Sequence, residues 1–124
     1  MNKNNNKTLL IVDDSAIIRK AIASYVSDYD ITIVGTANNG TIALEMFKKY
    51  NPDIVTLDIT MPGIDGFEVL DQMIQLNSSA HVLVVTALSD KASGLKALKI
   101  GAKSYITKPF RAEKLRQAFQ RLLE

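Results

Sequence analysis

The stretch Ile54-Val55-Thr56-Leu57-Asp58-Ile59-Thr60-Met61-Pro62-Gly63 decides how the rest of the 124-residue chain is read. Its apolar, β-branched first half predicts a buried strand, and the Pro-Gly pair behind it predicts a turn. The strand ends on an acid. A buried strand has no packing use for a carboxylate at its tip. The carboxyl ends of strands in an open α/β sheet, by contrast, are where ligands bind.

Working outward, the N-terminal side repeats the pattern. Thr8 to Val12 is an apolar strand ending on Asp13-Asp14. Ser15 can cap the helix behind it, with Ile18, Ile22 and Val26 as its buried stripe. Ile31 to Ala37 is a second strand and Asn38-Asn39-Gly40 a turn. Ala43, Leu44 and Phe47 then give a helix its inner face. Asn51-Pro52 ends that helix, because the residue before a proline disfavours the α region.

On the C-terminal side, a helix from about Gly66 to Leu76 shows Phe67, Leu70 and Ile74 at helical spacing, and His81 to Thr86 is a further strand. Ser89 or Asp90 can cap a helix that turns Ala92, Leu95 and Leu98 inward and ends at Gly101. Gly94 inside it should weaken it by roughly 1 kcal/mol relative to alanine. Ser104 to Thr107 is a last short strand, followed from Arg111 by a helix using Ala112, Leu115, Phe119 and Leu122. Continuous apolar strands alternating with helices predict an α/β fold, a parallel sheet covered on both faces. Right-handed crossovers make it a doubly wound five-stranded sheet, (β/α)5.

The length fits one domain. Residues 1–7 are read as a disordered polar tail and 8–124 as the folded unit. Nothing resembles a secretory signal or a span of ~20 apolar residues, so a cytoplasmic, non-membrane protein is expected. The absence of cysteine excludes disulfides, thiol catalysis and Cys-ligated metals. The net charge of +2 conceals an asymmetry. Residues 1–90 hold 6 basic and 11 acidic side chains, and residues 91–124 hold 9 and 2. A basic final third suits an acidic partner. No recognition motif or aromatic-basic interleaving accompanies it, so nucleic acid is not expected.

Four strand ends carry chemistry: Asp13-Asp14, Asp58, Thr86-Ala87 and Lys108-Pro109. Singly, such residues are caps, packing groups or solvated charges. Together they bring three carboxylates, a hydroxyl and a lysine to one edge of the sheet. Three adjacent acids call for a cation or a raised pKa. Oxygen ligands suit Mg²⁺, with Mn²⁺ as an alternative, and not zinc. The single histidine, His81, lies away from this edge and reads as a packing or surface residue. An aspartate beside such an ion can act as a nucleophile toward a phosphoryl group. Lys108 and Thr86 would be donors to its oxygens.

These motifs resemble the response-regulator receiver domain, specifically the stand-alone CheY-like chemotaxis type: Leu10-Ile11-Val12-Asp13-Asp14, Asp58 with Met61-Pro62-Gly63-Ile64-Asp65-Gly66, Val85-Thr86-Ala87 and Lys108-Pro109-Phe110. The resemblance runs from Thr8 to the end. It implies the flavodoxin-like strand order 2-1-3-4-5. It further implies that Asp58 accepts a phosphoryl group from a histidine kinase, and that Asp13, Asp14, Asp58 and the Thr60 backbone carbonyl hold the metal. Thr86 and Tyr105 correspond to a switch pair.

The helix 4-strand 5-helix 5 face would be the output surface, including Lys91, Lys99, Lys103, Tyr105, Arg111 and Lys114. Its expected partner is a flagellar motor switch protein or another output protein with an acidic segment. A monomeric phosphoacceptor, not an enzyme, is expected. Thr60 stands where the best-known chemotaxis form has asparagine, and Leu88 where it has an acid. Both are expected to tune phosphate lifetime, with Leu88 shielding the group so that a separate phosphatase is needed.

Four other readings share part of this pattern. A phosphorelay receiver outside chemotaxis shares every motif. A haloacid-dehalogenase-type phosphohydrolase needs a second acid where Thr60 stands. An FMN-binding flavodoxin-like module needs a Ser/Thr/Gly phosphate loop where Asp13-Asp14 stands. A receiver that binds partners without phosphorylation would not need the intact set Asp13, Asp14, Asp58, Thr86 and Lys108.

Overall fold

The computed structural model describes residues 6–63, 65–87 and 91–123. Strands and helices alternate: β1 (Lys7–Val12), α1 (Ala16–Tyr25), β2 (Ile31–Ala37), α2 (Gly40–Tyr50), β3 (Ile54–Asp58), α3 (Gly66–Leu76), β4 (His81–Thr86), α4 (Lys91–Ile100), β5 (Ser104–Thr107) and α5 (Ala112–Leu123). The five strands are parallel in the order β2-β1-β3-β4-β5. This is the doubly wound α/β sheet expected from the alternation.

The strands separate two apolar layers because successive side chains point to opposite faces. Leu10, Val12, Val55, Leu57, Val82 and Val84 join α2, α3 and α4 through residues such as Phe47, Leu70 and Ala97. Leu9, Ile11, Ile54, Leu83, Val85 and Ile106 meet α1 and α5 through Ile22, Leu115 and Phe119. All five residues of β3 are buried, which explains its unbroken apolar reading. His81 ties β4 to α5 at the other end of the sheet, its Nδ1 lying 2.9 Å from the carbonyl oxygen of Leu122.

Caps follow the sequence closely. The Ser15 and Asn39 side chains accept from the Ile18 and Ile42 amides. β1 starts one residue earlier than expected. Lys7 belongs to it, and Asn6 donates to Asp30 at 2.8 Å. The end of α2 has a different cause from the one expected. Asn51 does not extend before Pro52; it takes the left-handed region at φ 45° and ψ 59°. Asparagine tolerates that region, and here its amide N–H bonds the Phe47 carbonyl at 2.9 Å.

In α3 the fully buried residues are Gly66, Val69, Leu70 and Met73, with Phe67 and Ile74 only partly covered. α4 overturns an expectation. Ala92 is exposed, Leu95 is 55% exposed and Leu98 38%, while the helix buries Gly94 and Ala97. The reason is steric. The Tyr105 ring from β5 lies where a Cβ on residue 94 would be, so the helix packs by its small residues and leaves its leucines outside. The proposed caps Ser89 and Asp90, like Leu88 and Ile64, lie outside the described residues.

Candidate functional site

Backbone hydrogen bonds carry the sheet ladder to its carboxyl edge. The Asp13 amide bonds the Ala37 carbonyl at 3.0 Å, the Ile59 amide that of Val85 at 3.1 Å, and the Lys108 amide that of Thr86 at 2.8 Å. The first bond ties β1 to β2 and the other two tie β3 and β5 to β4; the β1–β3 ladder, which pairs Val12 with Leu57, joins these sets and so fixes Asp13, Asp58, Thr86 and Lys108 at one edge. The Lys108–Pro109 peptide is cis.

Asp13 and Asp58 are each 1% exposed and Thr86 is wholly buried, whereas Asp14 is exposed. Ligand oxygens of Asp13, Asp14 and Asp58 all lie within 4.8 Å of one another. Lys108 Nζ stands 2.9 Å from Asp13 Oδ2 and 3.1 Å from Asp58 Oδ2. Its bond to Asp58 is a hydrogen bond. Toward Asp13 there is only an ion pair, so the buried Asp13 Oδ2 has no hydrogen-bond partner among the described residues.

Three hard oxygen donors, one of them open to water, fit Mg²⁺ or Mn²⁺. Asp13, Asp14 and Asp58 would hold the ion. Burial, the largest influence, pushes the Asp13 carboxyl above the usual carboxylate range. The Ser15 amide and Lys108 pull it back, while the Asp58 charge adds to the rise. Burial works against the Lys108 charge too. The close carboxylate oxygens of Asp13 and Asp58, together with their charges, outweigh it and raise the lysine above its ordinary value.

Two contacts at this edge were missed in the sequence. Arg19 donates from Nη1 to the Asp13 carbonyl oxygen at 2.6 Å, tying α1 to the acidic loop. Thr60 folds back on the strand tip. Its amide and its hydroxyl both donate to Asp58 Oδ1, at 2.8 and 2.6 Å. The hydroxyl oxygen lies 3.4 Å from the Ala87 amide nitrogen, its donor. An acid followed two residues later by threonine in a turn is a recurrent backbone-bonding pattern and was the available signal.

The proposed output residues form a contiguous part of the chain. Lys91, Lys99, Lys103, Arg111 and Lys114 are exposed and Tyr105 is half-buried. Tyr105 and Lys114 line a shallow groove between β5 and α5 with Gln117 and Arg121. Leu95 and Leu98 add exposed apolar surface on the neighbouring α4. Lys96 points elsewhere, its Nζ 4.3 Å from the centre of the Phe67 ring on α3.

The family model described as the response regulator receiver domain matches residues 9–120. The chemotaxis protein CheY of Listeria monocytogenes is 42% identical over 113 residues, covering 91% of this chain and 95% of that protein. CheY of Bacillus subtilis is 36% identical over 115 residues, 93% and 96% of the two chains. Among solved structures, a chain of the CheX–CheY–BeF3–Mg complex from Borrelia burgdorferi superposes with a TM-score of 0.89 at 33% identity, covering 95% of this chain and 90% of that one.

Proposed function

The chain belongs to the response regulator receiver domain family, and from that premise we propose that it is the phosphoacceptor of a two-component system, phosphorylated on Asp58 by a histidine kinase. The observation that carries this reading is the pairing of a buried carboxylate with a lysine 3.1 Å from one of its oxygens, inside a cluster of three acids. The ions that suit this donor set supply charge neutralisation and a seat for a phosphoryl oxygen. Asp13, Asp14, Asp58 and the Thr60 carbonyl would hold the metal.

The chemistry follows from the residues. An Asp58 carboxylate oxygen attacks phosphorus. The O–P bond forms as the donor's P–N bond breaks, and the departing imidazole keeps the electron pair and takes a proton. Lys108 and the Thr86 hydroxyl donate to phosphoryl oxygens as charge shifts onto them. In this reading Thr86 and Tyr105 then pass the event to α4, β5 and α5 as a population shift.

The output partner offers an acidic segment to Lys91, Lys99, Lys103, Arg111 and Lys114. Similarity to chemotaxis proteins over most of the chain favours a cytoplasmic role in chemotaxis, with a flagellar motor switch as target. Leu88 and Thr60 are read as setting phosphate lifetime, with a separate phosphatase to remove the group; the similar CheY chain solved in complex with CheX is a receiver held by a partner protein. Incubation with acetyl phosphate tests the reading. Wild type should take up phosphate only with Mg²⁺, and Asp58→Ala should take up none; phosphate retained by the variant would overturn it.

A further inference from the structure

Asp58 Oδ1 already has two donors, the amide and the hydroxyl of Thr60. A carboxylate oxygen offers about two lone-pair sites, so this oxygen is saturated. Oδ2, the other oxygen, faces the Lys108 ammonium at 3.1 Å. A divalent cation is repelled on the lysine side and drawn to Oδ1, which no protein cation touches. There the Thr60 hydroxyl stands in its way.

The amide cannot leave without moving the backbone, whereas the hydroxyl can turn about one side-chain bond. We infer that the Thr60 hydroxyl is an internal competitor for the metal: it occupies the cation-facing lone pair of Asp58 and must let go before Mg²⁺ can bind. This inference rests on the proposed metal site and makes Thr60 a positioning residue acting through Asp58. It also assigns the side chain a role distinct from that of the backbone carbonyl. When the hydroxyl proton turns away from Asp58, the hydroxyl oxygen can still accept from the Ala87 amide, whose nitrogen lies 3.4 Å away just past β4. Metal entry and the Ala87 amide are thereby linked through one rotatable group.

Thr60→Val keeps the shape and removes the hydroxyl; Thr60→Ser keeps the hydroxyl. Mg²⁺ binding to wild type and both variants is measured by calorimetric titration without any phosphodonor. A bond from a hydroxyl to an ionised acceptor is strong enough that its loss should tighten Mg²⁺ binding by about five- to tenfold in Thr60→Val. Thr60→Ser should bind as wild type does. Thermal unfolding gives a second reading. Mg²⁺ should raise the melting temperature of Thr60→Val by more than it raises that of wild type, starting from a lower metal-free value.

Equal or weaker Mg²⁺ binding by Thr60→Val, or tightening in Thr60→Ser as well, overturns the inference while leaving the proposed metal site intact. Absence of Mg²⁺ binding by wild type itself would remove the site and the inference together.

Discussion

Asp13 is 1% exposed and shares the ammonium of Lys108 with Asp58. Its carboxyl is raised above the ordinary range, chiefly by burial. A raised carboxyl favours the folded state at low pH, and that contribution is lost as pH rises through the raised value. At neutral pH the metal-free protein therefore holds an ionised Asp13 at a cost. Asp13→Asn should stabilise the metal-free protein at pH 7, measured by urea unfolding in chelator. The gain should shrink as pH is lowered through the raised Asp13 value, and Mg²⁺ should stabilise the variant far less than wild type. Destabilisation by the substitution at pH 7 would contradict the electrostatics described for this edge. At this scale the sequence announces the acids and the lysine, since each ends an apolar run. It does not announce the direction of a hydroxyl. Thr60 is visible as a neighbour of Asp58, but its bond to Oδ1 depends on a rotamer and a turn set by the packed strand tips.

The element that departs from expectation is α4. Hydropathy at 92, 95 and 98 suggests an inner face of one alanine and two leucines, but packing selects the small residues Gly94 and Ala97. The deciding neighbour is the aromatic ring of Tyr105, which is eleven residues away and on another element. No local pattern could reveal it. Helix propensity alone says that Gly94→Ala stabilises by about 1 kcal/mol. The ring makes the opposite prediction. Gly94→Ala should destabilise by about 1–3 kcal/mol, as overpacked substitutions do. In a Tyr105→Ala background the same change should stabilise. Thermal or urea unfolding of the four proteins checks the sign reversal, and a stabilising Gly94→Ala in the presence of Tyr105 would refute the packing. The other elements were legible because propensity, caps and burial agree there: β2, β3, α3, β4 and β5 begin and end where their patterns do. β1 begins one residue early, and Asn51 stops α2 where expected but through its left-handed conformation.

Across the whole molecule, charge and sheet order divide the labour. Asp13, Asp14 and Asp58 gather at one edge, while residues 91–124 carry 9 basic side chains against 2 acidic ones. An acidic helical peptide should bind this face more tightly when the protein is phosphorylated. Its affinity should fall clearly as ionic strength rises, and Lys99→Glu with Lys114→Glu should weaken it. Affinity that barely changes with salt would rule out steering by this charge. The fold was readable at this scale because a continuous β-α alternation leaves few topologies. The strand order, in contrast, came with the family likeness and not from the alternation. Everything else turns on whether Asp58 carries the phosphoryl group, and chemical trapping answers that. Borohydride reduces an acyl phosphate to an alcohol, so protein treated with acetyl phosphate and Mg²⁺, then reduced and digested, should show homoserine at position 58 and aspartate at 13 and 14. Homoserine at 13 or 14 instead, or unreduced aspartate at 58 in protein that has taken up phosphate, would contradict the assignment.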